Sequence, residues 1–195
     1  MSAADAAPTP RATGHLAEGG PTSLAYERRF AATIAEIWAE VTESARLGRW
    51  LGTWTGDPAS GRITFQMIAE GDVPAEEYRI RECSPPNRLV VDTALEPGPM
   101  TWHLTVELAE VVGGTDASTG SGSGTGPGPG PGPETILTFS HELENIADAV
   151  HYGSGWDYYL DRLVVAQAGG DASVVDWATY SPALDEHYAR LGPRS

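Results

Sequence analysis

The sequence contains no lysine and a single cysteine, Cys83. All 12 basic residues are arginines, and 27 Asp and Glu residues outnumber them, which gives a formal net charge of −15. Nucleic acids and anionic membranes are bound through cationic surfaces, so this charge argues against both kinds of partner. One cysteine cannot form an internal disulfide, and no apolar run approaches the roughly 18 residues of a membrane span. We therefore expect a cytoplasmic protein.

Signatures of metal binding and of nucleophilic catalysis are also missing. No two of the five histidines have the H-x-x-x-H spacing of a zinc site on a helix, and Cys83 has no second cysteine to join it. The chain lacks the Gly-x-Ser-x-Gly motif that would place a serine nucleophile on a sharp turn. We expect no metal ion and no cofactor.

Two segments have a composition that does not favour a packed core. Residues 1–22 are rich in Ala, Pro, Thr and Gly, and we expect a disordered tail there, followed by one domain at 23–192. At about 113–134 a glycine-rich run ends in Gly-Pro repeats, whose two-residue period excludes a collagen helix. A linker between two domains is one alternative. The roughly 60 residues that follow are marginal for a separate core, and we favour a hairpin insertion between two adjacent strands.

Apolar periodicity predicts an α+β fold. Thr33 and Glu36 have the spacing of a capping box and predict the start of a first helix. Ser154 and Asp157 have the same spacing and predict the start of a long C-terminal helix, with an apolar stripe on one face. The segments with strand-like alternation or β-prone composition are 24–31, 62–67, 77–81, 88–93, 100–108 and 135–139.

The order of these elements is a strand, two helices, about six antiparallel strands and a long helix. This order and several local motifs resemble the SRPBCC (START/Bet v 1-like) superfamily, and more narrowly the family of the activator of Hsp90 ATPase homologues (AHSA1-like). The motifs are Arg29-Phe30, Ile37-Trp38 with Val41-Thr42, Trp50, Pro85-Pro-Asn-Arg-Leu-Val90, Thr105-Val-Glu-Leu108 with Gly113-Gly-Thr115, Ser140-His-Glu-Leu143, and Gly155-Trp156 with Leu160 and Leu163.

The resemblance implies a helix-grip fold, in which a curved antiparallel sheet wraps around the C-terminal helix and leaves a cavity between them. It also implies that the cavity binds a small hydrophobic or amphipathic molecule. The residues expected on its wall are Phe65, Tyr78, Trp102, Leu104, Phe139, His141, Trp156, Tyr159 and Leu163. A plain hydrophobic core would use the same side chains, so the pattern alone does not separate a core from a ligand site.

Two other functions stay open at this stage. One is a cyclase-like or hydrolase-like enzyme in the same cavity, with His141 or Tyr78 as proton donor, since an inward imidazole or phenol can transfer a proton. The other is a role as partner of an Hsp90-type chaperone, which the family resemblance implies. Many unrelated functions share this fold, so the resemblance alone does not choose among them.

Overall fold

The computed structural model describes residues 7–68, 73–94, 101–111 and 132–192. Within these ranges the strands are β1 (His15–Leu16), β2 (Ser23–Phe30), β3 (Gly52–Thr55), β4 (Arg62–Met67), β5 (Glu76–Ser84), β6 (Arg88–Ala94), β7 (His103–Glu110) and β8 (Thr135–Glu142). The α-helices are α1 (Ile34–Thr42), α2 (Ser44–Leu47), α3 (Ala149–Gln167) and α4 (Asp185–Ala189).

The eight strands form one curved antiparallel sheet in the order β1-β2-β8-β7-β6-β5-β4-β3. The 19-residue helix α3 packs against the apolar face of this sheet, and Leu160 and Leu163 on it are almost completely buried. A one-sided apolar sheet needs such a cover. The predicted α+β helix-grip fold is confirmed. Among the described helices, none is both long enough and apolar enough to cross a membrane.

The start of α1 agrees with its sequence signal. Thr33 is the N-cap, and its backbone N–H donates to Glu36 Oε2 at 2.8 Å. In return, the backbone N–H of Glu36 donates to Thr33 Oγ1 at 3.3 Å. The predicted capping box is therefore present.

The start of α3 differs from the prediction. The helix begins at Ala149, after a short 3-10 turn whose N-cap, Asn145, accepts a hydrogen bond from the Ala147 backbone N–H at 2.9 Å. Ser154 lies inside the helix, where its hydroxyl donates to Asp185 Oδ1 at 2.5 Å, and Asp157 is fully buried. The predicted capping box at Ser154 is wrong because both polar side chains make tertiary contacts instead of capping contacts.

The N-terminal segment also differs from the prediction of a disordered tail at 1–22. Residues 7–22 are described, and β1 pairs antiparallel with β2 at the edge of the sheet. The backbone N–H of Gly14 donates to the Tyr188 hydroxyl at 3.1 Å, which ties this segment to α4. The segment is held by β2 and by distant residues of α3 and α4, so its own composition gave no sign that it is ordered. Residues 1–6 lie outside the described ranges.

The strands on either side of the Gly/Pro-rich run are neighbours in the sheet. β7 pairs antiparallel with β8 from His103 opposite Glu142 to Glu110 opposite Thr135. One further hydrogen bond, from the Val111 N–H to the Glu134 carbonyl oxygen at 2.8 Å, continues the ladder. The predicted pairing of the two flanking strands is confirmed. Most of the proposed insertion at 113–134 lies in 112–131, outside the described residues.

Candidate functional site

A cavity of about 190 Å³ lies between the sheet and α3. Strands β4 to β8 contribute those of their side chains that face inward, because every second side chain of a strand points to the same face of the sheet. The region from α1 to β3 closes one end, with Val41 and Trp54, and α3 closes the top, with Trp156 and Leu160. The wall is almost entirely apolar, and no charged side chain of the described residues lines it.

Most of the predicted site residues lie on this wall. The seven that do are Phe65, Tyr78, Trp102, Leu104, Phe139, Trp156 and Leu163. Phe65 and Tyr78, on neighbouring strands, stack with their ring centroids 4.8 Å apart. Phe139 and Trp156 are in contact across the space between β8 and α3, with a centroid distance of 4.3 Å. Contact of these seven side chains with a ligand remains a prediction.

His141 does not line the cavity, which corrects its prediction as a wall residue. It points inward from β8, as its parity with Phe139 indicated, but it lies behind the wall and is 1% exposed. The Trp156 Nε1–H donates to its Nδ1 at 3.0 Å, so that nitrogen carries no proton. Burial, helped by the nearby charge of His103, lowers the pKa of His141 to about 4. A neutral imidazole outside the cavity is unsuited to the role of proton donor.

Tyr159 is the second predicted wall residue that the structure places elsewhere. It is buried behind the wall, with its ring 6.1 Å from that of Trp156 and 5.0 Å from that of Tyr158. Its place in the helical stripe was correct. The side of the stripe that contacts the cavity depends on the rotation of α3 over the sheet, which periodicity does not define.

Several wall residues were missed by the sequence prediction, among them Trp50, Trp54 and Cys83. Trp50 and Trp54 follow α2 and close the cavity from the side of α1. Cys83 reaches the wall because β5 has an irregular register between Ile80 and Glu82, which shifts the alternation by one residue. The apolar spacing around Trp50 could have indicated the first two. Nothing in the sequence marks the irregularity that turns Cys83 toward the cavity.

The tryptophans of the wall differ in how their indole N–H groups are bonded. The Nε1–H of Trp50 donates to the Glu40 carbonyl oxygen at 3.1 Å, and that of Trp54 to the Thr42 carbonyl oxygen at 2.9 Å. The Nε1–H of Trp156 donates to His141, as described above. The Nε1 of Trp102 is buried and has no hydrogen-bond partner among the described residues. Trp102 is therefore the one wall tryptophan with an unused donor in this part of the chain.

A buried polar cluster lies on the side of α3 that faces β2. The Arg28 guanidinium is 3.2 Å from Asp157 Oδ1 and 2.9 Å from Asp161 Oδ1, so two carboxylates share one cation. Tyr188 and Thr13 both donate hydrogen bonds to Asp157. Burial raises the pKa of Asp161 above its ordinary value. The cluster fastens the N-terminal segment and α4 to α3, and its carboxylates are absent from the cavity wall.

No arrangement suited to a metal ion occurs in the described part of the chain. There, no group of three or more His, Cys, Asp or Glu side chains is placed to hold one. The chemistry available at the cavity wall is therefore apolar contact together with a few hydrogen-bonding groups.

Residues 31–127 match a protein-family model, described as activator of Hsp90 ATPase homolog 1-like protein (AHSA1). Together with the helix-grip fold, this match decides the family. The matched part of the chain belongs to the AHSA1-like family. No curated protein matches this AHSA1-like chain in sequence.

Solved structures agree with the fold of the AHSA1-like protein. CalU16 from Micromonospora echinospora is 23% identical, with a TM-score of 0.61 over 92% of this chain and 94% of its own. A Bordetella parapertussis protein, encoded by BPP1335, is 19% identical, with a TM-score of 0.61 over 97% of both chains. DynU16, described as a protein of the dynemicin biosynthetic locus, is 16% identical, with a TM-score of 0.54 over 77% of this chain and 49% of its own. At these identities the likeness shows the fold alone.

Proposed function

We propose that this AHSA1-like protein binds a small, mostly apolar molecule in the cavity between the sheet and α3. The observation that carries the proposal is the cavity itself, about 190 Å³ in volume with an apolar wall. An engineered apolar cavity of about 150 Å³ is large enough for benzene, so this one suits a molecule of about one to two fused rings. Empty, it would forgo on the order of 4 kcal/mol of packing energy, which a ligand of matching shape would recover.

The comparisons support a small-molecule ligand without identifying it. The SRPBCC-type fold is a ligand-binding and cyclase-like fold, and DynU16, which shares it, is described as belonging to a biosynthetic locus. A ligand of this protein would reach the cavity at the rim, where Pro58 and Cys83 are exposed as well as part of the wall.

A filled-cavity variant tests the proposal. Val91 on β6 lines the cavity, whereas its neighbour Val90 lies on the opposite face of the sheet, in an open groove beside His103. Val91→Phe should weaken the binding of naphthalene, measured by isothermal titration calorimetry, by about tenfold or more, because the larger ring occupies the ligand's space. Val90→Phe is the matched control and should change the affinity by less than about twofold. Equal affinities in both variants, or no binding of naphthalene to the wild-type protein, would contradict the proposal.

Catalysis in the same cavity has less support from the geometry. Of the two proton donors expected for a cyclase-like or hydrolase-like reaction, His141 lies behind the wall and only Tyr78 lines the cavity. That role for Tyr78 stays a prediction, as does binding to an Hsp90-type chaperone. A pull-down with purified chaperone, followed by measurement of its ATPase rate, tests the second.

A further inference from the structure

We infer that the ligand of the cavity is a neutral molecule with an oxygen acceptor, such as a ketone or lactone carbonyl, which accepts a hydrogen bond from the Trp102 Nε1–H. This inference rests on the proposed function and specifies the chemistry of the ligand. A buried donor without an acceptor is costly and rare in native proteins. The Nε1 of Trp102 is such a donor among the described residues, whereas those of Trp50, Trp54 and Trp156 already have partners.

The Trp102 side chain is held in place, so it cannot readily turn to another acceptor. Its backbone N–H donates to the Thr93 hydroxyl at 3.0 Å, and its carbonyl oxygen accepts from the Thr93 N–H at 3.0 Å. Its ring packs against three aromatic neighbours, with centroid distances of 5.3 Å to His141, 5.5 Å to Tyr152 and 6.2 Å to Trp156. A donor fixed in this way is preorganised for an acceptor that arrives with a ligand.

A trapped water molecule is a poorer partner than a ligand for this donor. A buried water needs about two to four polar partners. The hydroxyl of Thr42, which also lines the cavity, already donates to the Trp38 carbonyl oxygen at 2.7 Å. A water at Trp102 would find few further partners, because the cavity wall is almost entirely apolar.

The wall also limits the charge of the acceptor. No arginine or histidine side chain of the described residues lines the cavity. A carboxylate placed there would be a buried charge without a counter-charge, which is far more costly than a neutral carbonyl with one hydrogen bond. The acceptor is accordingly neutral, and the remainder of the molecule is apolar to match the wall.

Two probes that share one carbon skeleton test the inference. Tetralin and 1-tetralone are bicyclic molecules of suitable size that differ by one carbonyl oxygen. For each protein the measured quantity is the ratio of the tetralin Kd to the tetralone Kd, which cancels changes in general packing. Trp102→Phe should lower this ratio by about tenfold, because it removes the donor and keeps an aromatic ring. Trp54→Phe is the matched control and should leave the ratio unchanged, because the Trp54 donor is already bonded to Thr42.

The possible results separate the inference from the proposed function. An unchanged ratio in Trp102→Phe, with both probes bound by the wild-type protein, overturns the inference and leaves the binding function standing. Failure of both probes to bind the wild-type protein overturns both. If Trp102→Phe does not fold, the indole N–H resonance of Trp102 in the wild-type protein decides the matter. It should move downfield with tetralone and not with tetralin, and equal shifts overturn the inference.

Discussion

His141, behind the cavity wall, and Trp156, on the wall, form a buried hydrogen-bonded pair. The imidazole Nδ1 accepts a hydrogen bond from the indole N–H of Trp156, and this bond holds in place a ring that lines the cavity. A protonated His141 would lose that bond and would place a charge in an apolar region, which is why burial depresses its pKa. The residue acts as a support for the wall, and its ionisation is linked to folding.

The linkage predicts the effect of acid on stability. The pKa of His141 falls from its ordinary value of 6.5 to about 4 in the folded protein, so the unfolded chain binds this proton more readily. Stability should therefore be lost as the pH falls from 6.5 to about 4, by about 3 kcal/mol at most. His141→Asn keeps an acceptor near the position of Nδ1 without the ionisation. Chemical denaturation at several pH values should show the wild-type protein losing stability relative to this variant only below pH 6.5. A difference that does not change with pH would contradict the linkage.

Single residues show how much of the site could be predicted from the sequence. Strand alternation correctly placed Leu104 and Phe139 on the inner face, since a regular strand directs every second side chain the same way. Alternation failed at Cys83, where the register of β5 shifts. It also did not predict that His141 lies behind the wall, bonded to Trp156. Arg28 is a charged residue on the otherwise apolar face of β2. It pairs with Asp157 and Asp161, which lie more than 120 residues away along the chain, so the local sequence does not explain its position.

At the scale of elements, α4 packs closely on α3. Tyr188 of α4 is fully buried, and its ring lies against Gly153, where a Cβ atom would overlap the ring carbons. The absence of a side chain at Gly153 thus allows the close approach of the two helices. Gly155, two residues further along the same helix, has no atom within 4 Å of the position of a Cβ.

The different surroundings of Gly153 and Gly155 predict opposite effects of an alanine substitution at the two positions. Gly153→Ala should destabilise the protein by about 1–3 kcal/mol, because Tyr188 and α4 must move to make room. Gly155→Ala should stabilise it by about 0.5–1 kcal/mol, because alanine has the higher helix propensity and meets no neighbour. Urea denaturation of both variants provides the comparison. Equal effects would show that α4 does not pack on α3 in this way.

The sequence predicted these helices more accurately than it predicted the contacts that they make. Periodicity predicted a long C-terminal helix, but its start was placed at Ser154 and not at Ala149. The capping pattern was misleading because Ser and Asp bond equally well to distant partners, here Asp185 and Tyr188. Such partners depend on how the chain returns on itself, which local patterns do not report.

At the scale of the whole molecule, the chain on both sides of residues 112–131 belongs to one sheet. β7 and β8 pair along their full length, and β2 pairs with β8 on the other side. These pairings do not use the Gly/Pro-rich run. The run therefore joins two strands that other contacts already bring together.

Deletion of the run tests this arrangement. Removal of Asp116 to Gly132 should leave a folded protein with a similar or slightly higher Tm, since a shorter connection lowers the closure entropy cost by about 1 kcal/mol. Thermal unfolding followed by circular dichroism measures the change. Loss of the cooperative transition in the shortened protein would mean that the run is needed for folding.

The position of Cys83 has a practical consequence. It is the only cysteine of the chain, it is exposed, and it lines the rim of the cavity. A maleimide dye would therefore attach at one place in the unaltered protein, beside the opening through which the proposed ligand would enter. An environment-sensitive fluorophore there would convert occupancy into an optical signal, and a chemical library could then be screened directly for molecules that enter the cavity.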